Sequence, residues 1–413
     1  MTAFLTGLLL WLLPVTGEGG RTPDPRMYPG LVWYAEPPGD GEPVALRPDD
    51  PVNPASLVKL ATSLWALEKL GPEFRFATRF AMAGTDLVVA GGADPDFHPE
   101  NAMLVARALN DAGILRIEGR LLVDDRFWIG WEQGSSLEQV KADQRAMEMA
   151  RRLLQAMDPR RWSRDLQSTW KKLAAREGFD VTRQPQVVIS GGTGMTAALP
   201  AGATVVLTHR SGPLVGTLKR FNVWSNNDIQ RLEVVLGGPD DLRSFLVQRW
   251  GREIAGSVTL ATTSGLGSNR LTPRLAVRLL RDLLVALRRN GIEPADILPV
   301  AGCDPGTLKN FPGLADQGHR GAVVGKTGSL THTDGGVALL AGIAGTRAGD
   351  LLFCVAAPGS GGHLAAARSL QESWLLEMMA ELGGARPSEC GAPVPLAGEQ
   401  VELMVSVPAA VTP

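Results

Sequence analysis

Three short stretches of this 413-residue chain hold residue types at spacings suited to acyl transfer. The first is Ser56-Leu57-Val58-Lys59. Serine and lysine three apart share one face of a helix, so the amine can reach the hydroxyl. A serine hydroxyl is a weak nucleophile until an adjacent base takes its proton. Lys59 can serve only if it is neutral, which requires burial or a second positive charge nearby. The second stretch is Ser225-Asn226-Asn227. Its hydroxyl can relay a proton, and the Asn227 amide can hydrogen-bond a carbonyl. The third is Lys326-Thr327-Gly328-Ser329, at the end of an apolar run. It offers a cation for a carboxylate, two hydroxyl donors, and a glycine that lets another backbone come close. Each stretch alone is commonplace: a solvated lysine, a polar turn, an ordinary strand end. Only the combination carries meaning.

The elements around these residues follow from pattern. Asn53 and Pro54 suit the N-cap and first position of a helix that carries Ser56. Leu57, Leu60, Ala61, Leu64 and Leu67 then recur at helical spacing as one buried stripe. Upstream, two apolar runs between Leu31 and Leu46 flank a Pro-Gly-Asp-Gly turn and predict a hairpin. Strand patterns at 87–90 and 121–123 and a helix at 100–112 form a small mixed unit. Helices are predicted over 146–157 and 166–177, and strands over 187–189 and 204–207. Near the C-terminus, 322–327 and 336–344 read as antiparallel strands joined through an Asp334-Gly335 turn. A strand at 351–356 and a helix over 363–381 follow, and 401–407 can add a final strand. The pattern is that of a mixed α+β domain interrupted by an insert.

Composition closes off other chemistries. A net charge of −2 leaves no electrostatic footprint for nucleic acid. Five isolated histidines and three scattered cysteines (Cys303, Cys354, Cys390) give no metal-ligand spacing. They leave room for one disulfide and one free thiol. No Gly-x-Ser-x-Gly elbow is present, which disfavours an α/β-hydrolase triad. Gly191-Gly192-Thr193-Gly194 lacks the Gly-Lys-Ser/Thr of a phosphate loop and reads as a turn. Asp94 and Asp124-Asp125 read as turn and capping residues. The apolar run from Phe4 to Val15 is too short to span a bilayer and fits a signal-peptide core before a small-residue cleavage zone, although no Lys or Arg precedes it.

Taken in order, the three stretches resemble the signature of penicillin-binding proteins and class A β-lactamases. Further blocks narrow the resemblance. Asn53-Pro54-Ala55-Ser56-Leu57-Val58-Lys59-Leu60 with Leu70-Gly71-Pro72-Glu73-Phe74-Arg75-Phe76, and Gly91-Gly92-Ala93-Asp94-Pro95, are similar to blocks of the D-alanyl-D-alanine carboxypeptidase/endopeptidase family, the class C low-molecular-mass penicillin-binding proteins. So are Ile117-Glu118-Gly119 with Val123-Asp124-Asp125, Ser211-Gly212-Pro213-Leu214, Ser264-Gly265-Leu266 with Asn269-Arg270-Leu271-Thr272-Pro273, and Leu298-Pro299-Val300-Ala301-Gly302 with Gly306-Thr307-Leu308.

The resemblance implies a penicillin-binding/β-lactamase-like transpeptidase fold, α+β, with an antiparallel sheet flanked by helices and a reduced inserted subdomain. The implied division is a signal peptide over 1–18, catalytic parts over 19–78 and 161–384, an insert over 79–160, and a peripheral tail over 385–413. Ser56 is then the nucleophile and Lys59 its base. Ser225 and Asn227 serve proton transfer and substrate binding, and Lys326 supplies electrostatics. Thr327, Gly328 and Ser329 bind substrate, with the Ser56 and Ser329 N–H groups as the oxyanion hole. The implied substrates are peptidoglycan stem peptides ending in D-Ala-D-Ala, with β-lactams as covalent inhibitors, no cofactor or metal, and an exported, periplasmic or wall-associated location. A β-lactamase or esterase of the same fold, or a wall-binding pseudoenzyme, is the alternative. Three departures from the family pattern stand out. Thr262-Thr263 replaces the usual Asp-Gly, in a loop one residue shorter. The segment between Lys59 and Ser225 is short, and Asp228-Ile229-Gln230 follows Asn227 where an apolar residue and an acid are usual.

Overall fold

A computed structural model of the chain describes residues 23–132 and 140–406. The N-terminal apolar run lies outside the described residues. Within them, no helix is long and apolar enough to cross a membrane.

The strand β11 (Val337–Thr346) is buried along its whole length, which places it inside a sheet covered on both faces. Its neighbours are β10 (Val323–Leu330) and β12 (Gly349–Pro358), followed by β1 (Val32–Glu36) and β2 (Val44–Leu46). The order is β10-β11-β12-β1-β2, antiparallel throughout. The pleat sends alternate residues of β11 to opposite sides. Val337, Leu339, Ala341 and Ile343 meet the Ser56 helix (Val58–Leu70) and the Pro273–Arg289 helix. Ala338, Leu340 and Ala344 meet the Leu364–Glu381 helix through Trp374, Leu375 and Met379. The result is a helix–sheet–helix sandwich with β10 on its edge.

Two local expectations are corrected. The link from β10 to β11 is not a two-residue turn but spans 331–336, with Asp334 at φ +57°. It loops out because the Asp334 carboxylate accepts from Asn53 Nδ2 at 2.7 Å and Arg270 Nη1 at 2.7 Å. Asn53 and Pro54 do not begin the α-helix either. The Asn53 side chain accepts from Ala55 N at 3.1 Å, Ala55 takes φ +46°, and a 3-10 turn (Ala55–Leu57) precedes Val58. The Pro273–Arg289 helix, not singled out from sequence, is capped by Thr272, whose Oγ1 accepts from Leu275 N at 3.2 Å.

A second sheet collects β3 (Ala77–Ala83), β4 (Asp86–Ala90), β6 (Leu121–Val123), β8 (Thr193–Met195), β9 (Thr204–Arg210) and β13 (Glu402–Val405) in the order β13-β9-β3-β4-β6-β8. A parallel pair, β5 (Arg116–Ile117) with β7 (Val188–Ile189), lies beside it. Its core joins Phe80, Val89 and Val123 to Met149 and Leu153 of the Ala142–Met157 helix, and also to Val187, Val206 and Leu207. This sheet also takes in chain beyond residue 160, since β9 sits between β3 and β13. The tail is likewise tied in: β13 pairs with β9, and Cys390 forms a disulfide with Cys303. Cys354 is the buried free thiol.

Candidate active site

The 3-10 turn that presents Ser56 is held from two sides by glycines. A Cβ on Gly265 would stand 1.9 Å from the Ala55 carbonyl oxygen, and one on Gly328 would stand 2.7 Å from that of Pro54. Side chains at either place would push the turn away, so strand β10 and the 262–267 loop close directly onto the nucleophile's backbone. One turn later, Lys59 is completely buried. Its Nζ lies 2.8 Å from Ser56 Oγ and donates to Asn227 Oδ1 at 2.8 Å and to the Ser264 carbonyl at 2.6 Å. Burial, reinforced by the charge of Lys326, holds the Lys59 amine well below the ordinary lysine range.

The Ser-x-Asn pair sits where one helix ends and another turn begins. Ser225 terminates the Leu214–Trp224 helix in the left-handed conformation, φ +53°. The Asn226 side chain then accepts from Asp228 N at 2.7 Å and caps the 3-10 turn that opens with Asn227. The reversal aims Ser225 and Asn227 into one cavity. From β10, buried Lys326 donates to Ser225 Oγ at 2.6 Å and to the Thr327 carbonyl at 3.0 Å. Burial alone brings its pKa down to about 7.

All five expected chemical residues thus fall in two clusters, Lys59–Ser56–Asn227 and Lys326–Ser225. The cavity between them measures about 210 Å³ and is lined by Ser56, Ser225, Asn227, Thr327 and Ser329 among others. Gly328 lies behind, as the contact with Pro54. Three further residues belong to the site and were not singled out as site residues from sequence. Thr307 accepts from Thr327 Oγ1 at 2.6 Å, Asn310 lines the same wall, and Arg368 donates to Ser329 Oγ at 3.0 Å. Thr307 falls in one of the family-like blocks, but its place at the cavity, like those of Asn310 and Arg368, is set by tertiary packing.

The departures noted in the sequence have structural roles. Thr262 Oγ1 accepts from Gly265 N at 3.1 Å, so a hydroxyl holds the turn that presents the Ser264 carbonyl to Lys59. Thr263 Oγ1 donates to Glu233 at 2.6 Å, and Ser264 Oγ donates to Gln230 at 3.0 Å. Asp228 accepts from Glu132 N at 2.6 Å and thereby ties the Asn227 turn to the second sheet's unit. Asp94 and Asp124 act in turns, accepting from Asp96 N and Gly91 N at 2.9 Å each. Among the described residues, no group of three or more His, Cys, Asp or Glu could hold a metal ion.

A model of the D-Ala-D-Ala carboxypeptidase 3 (S13) family matches residues 39–151 and 133–373. The chain belongs to that family. As an S13 peptidase it is a serine-type D-Ala-D-Ala carboxypeptidase. The S13 chain shares its fold with solved structures of 18–22% identity. A predatory endopeptidase from Bdellovibrio bacteriovorus, solved with an immunity protein, is 21% identical with a TM-score of 0.76, covering 91% of this chain and 99% of that one. The penicillin G acylated form of that endopeptidase, in the same complex, is 22% identical at 0.69, with 89% and 96% covered. Penicillin binding protein 4 from Haemophilus influenzae is 18% identical at 0.59, with 86% and 98% covered. The α+β penicillin-binding fold expected from sequence is the fold of this S13 peptidase.

Proposed function

We propose that Ser56 is the acylated nucleophile of this carboxypeptidase and Lys59 its general base. The observation that carries this is the set of three contacts around Lys59 Nζ. A neutral amine has two N–H bonds and one lone pair. Asn227 Oδ1 and the Ser264 carbonyl are pure acceptors and take the two N–H bonds. The lone pair is left facing the Ser56 hydroxyl. Lys59 takes the Ser56 proton as Oγ attacks the penultimate D-Ala carbonyl, and the Ser56 and Ser329 N–H groups stabilise the oxyanion. Ser225, hydrogen-bonded to Lys326, passes a proton to the departing amine, and D-Ala leaves. Water then hydrolyses the ester and restores Ser56.

A leaving group that is the amine of a neighbouring stem peptide gives endopeptidase cleavage by the same steps. The Bdellovibrio endopeptidase of the same fold supports that second activity. β-Lactams acylate Ser56 and leave slowly: among the described residues, no carboxylate lines the cavity to activate water, unlike class A β-lactamases. The Cys303–Cys390 disulfide supports an exported, periplasmic or wall-associated location. We read the chain as a catalytic unit drawn from residues 23–76 and 211–400 and a second unit drawn from residues 77–210 together with strand β13.

The test is a fluorescent penicillin, read by intact mass on the wild type and on Ser56→Ala. One label per wild-type chain and none on the variant is the expected result. An unlabelled wild type with an intact fold would make the protein a pseudoenzyme.

A further inference from the structure

The cavity holds a charge that the acylation steps do not use. Lys59 and Lys326 are wholly buried and committed to protein acceptors, and neither lines the cavity wall. Arg368 does, and among the described lining residues it is the one charged side chain. Its position follows from backbone contact. Gly359 N donates to the Gly336 carbonyl at 2.9 Å and Gly361 N to that of Gly335 at 3.0 Å. A Cβ on Gly361 would meet the Thr331 carbonyl oxygen at 2.0 Å. The two loops therefore lie backbone to backbone, and the Leu364–Glu381 helix starts beside the end of β10.

There the half-buried guanidinium donates to Ser329 Oγ at 3.0 Å. It has no carboxylate partner among the described residues, and burial is what lowers its pKa. An arginine drawn partly out of water without a counter-charge is a standing acceptor site for an anion, and its planar fork matches a carboxylate. The Ser329 hydroxyl lines the same wall and, accepting from Arg368, can give its own proton to the anion.

We propose that Arg368 is the residue that binds the free carboxylate of the leaving residue, a contact that requires this carboxylate one carbon from the scissile nitrogen. A terminal D-Ala meets that requirement. So does a crosslinking amine whose own carboxylate is free, whereas a peptide bond inside a continuing chain does not. Lys326, which loses its proton near neutrality, is a less constant partner than a guanidinium that stays charged. This inference rests on Ser56 as the acylated serine.

Benzylpenicillin carries a free carboxylate and its methyl ester does not, which makes them the probe pair. Second-order acylation rates are measured by intact mass on the wild type, Ser56→Ala, Arg368→Gln and Arg368→Lys. Loss of a charge-assisted hydrogen-bonded pair predicts that Arg368→Gln slows the acid roughly 10- to 100-fold more than it slows the ester. Arg368→Lys recovers part of the loss. Ester acylation that persists in the variant also shows that it is folded with Ser56 in place. Equal slowing of acid and ester would overturn the proposal, leaving Arg368 as a mere support for Ser329. A retained preference for the acid in Arg368→Gln would do the same while Ser56 labelling stands. A wild type labelled by neither compound would remove the Ser56 assignment and this inference together.

Discussion

Lysine is an ill-suited residue to bury, and this site buries two. Lys59 and Lys326 are each completely out of contact with solvent, and for Lys59 the other's charge adds to the effect of burial. What makes Lys59 a plausible base therefore destabilises the fold. The Lys326 pKa falls from 10.5 to about 7, so below pH 7 the folded chain carries a buried ammonium that the unfolded chain keeps in water. Between 7 and 10.5 the unfolded state holds one proton more than the folded state, and stability rises with pH across that window. Below it the penalty is complete. Replacing Lys326 by Met removes the charge and keeps the stem. Thermal unfolding of Lys326→Met and wild type from pH 6 to pH 10 is expected to show the variant's relative advantage greatest at pH 6. It should shrink by roughly a few degrees as pH rises. A difference that stays flat with pH would show that Lys326 is not the strained group.

Around those residues, the elements act by bringing backbones together. Gly265 is the sharpest instance: φ is +92°, and the space for a Cβ is already taken by the Ala55 carbonyl. Gly265→Ala must move either the 262–267 loop or the turn that carries Ser56. A displacement of ~1 Å at a reacting group can cost about 100-fold in rate. The variant is expected to lose penicillin acylation by at least about tenfold while Ser56, Lys59, Ser225 and Lys326 are all retained. Gly267→Ala, whose added carbon meets only the Ala261 Cβ at 3.3 Å, is the milder control for positive φ alone. Near-wild-type acylation in Gly265→Ala would refute the close-approach argument. Nothing in the local sequence announces that contact. The helix of Ser56, the strand of Lys326 and their buried stripes were legible because periodicity is written locally. The bent entry at Ala55, the long Asp334 link, and the arrival of Thr307 and Arg368 at the cavity depend on chain far away. The same is true of which cysteines pair. The Pro273–Arg289 helix differs: Thr272, Pro273 and an apolar stripe mark it locally.

At the scale of the whole molecule, the second unit reaches the site through buried charge. Asp96 binds Arg220 at 2.8 Å and accepts from Trp131 Nε1 at 3.0 Å. Arg231 gives hydrogen bonds to the carbonyls of Pro95 and Gly130. Arg220 lies in the helix that ends at Ser225, and Arg231 in the turn that begins with Asn227. The two units thus grip the Ser-x-Asn reversal from its back. Within this contact Asp94 is buried, one of its oxygens has no partner, and Asp96 repels it. Burial outweighs the attraction of Arg231 and Arg220 and lifts its pKa to about 7. Its stabilising contribution is then complete below the unfolded value of 3.8 and is lost as pH rises through 7, where the folded chain must ionise a carboxyl that water would have ionised earlier. Asp94→Asn is close in shape, keeps an oxygen for Asp96 N, and has no such dependence. The stability of Asp94→Asn relative to wild type is expected to climb from pH 4 to pH 8, levelling off above about 7, by roughly a few kcal/mol at most. Denaturant unfolding at each pH measures it. A relative stability that does not change with pH would mean that Asp94 stays ionised in the fold, with Arg220 and Arg231 holding its charge after all.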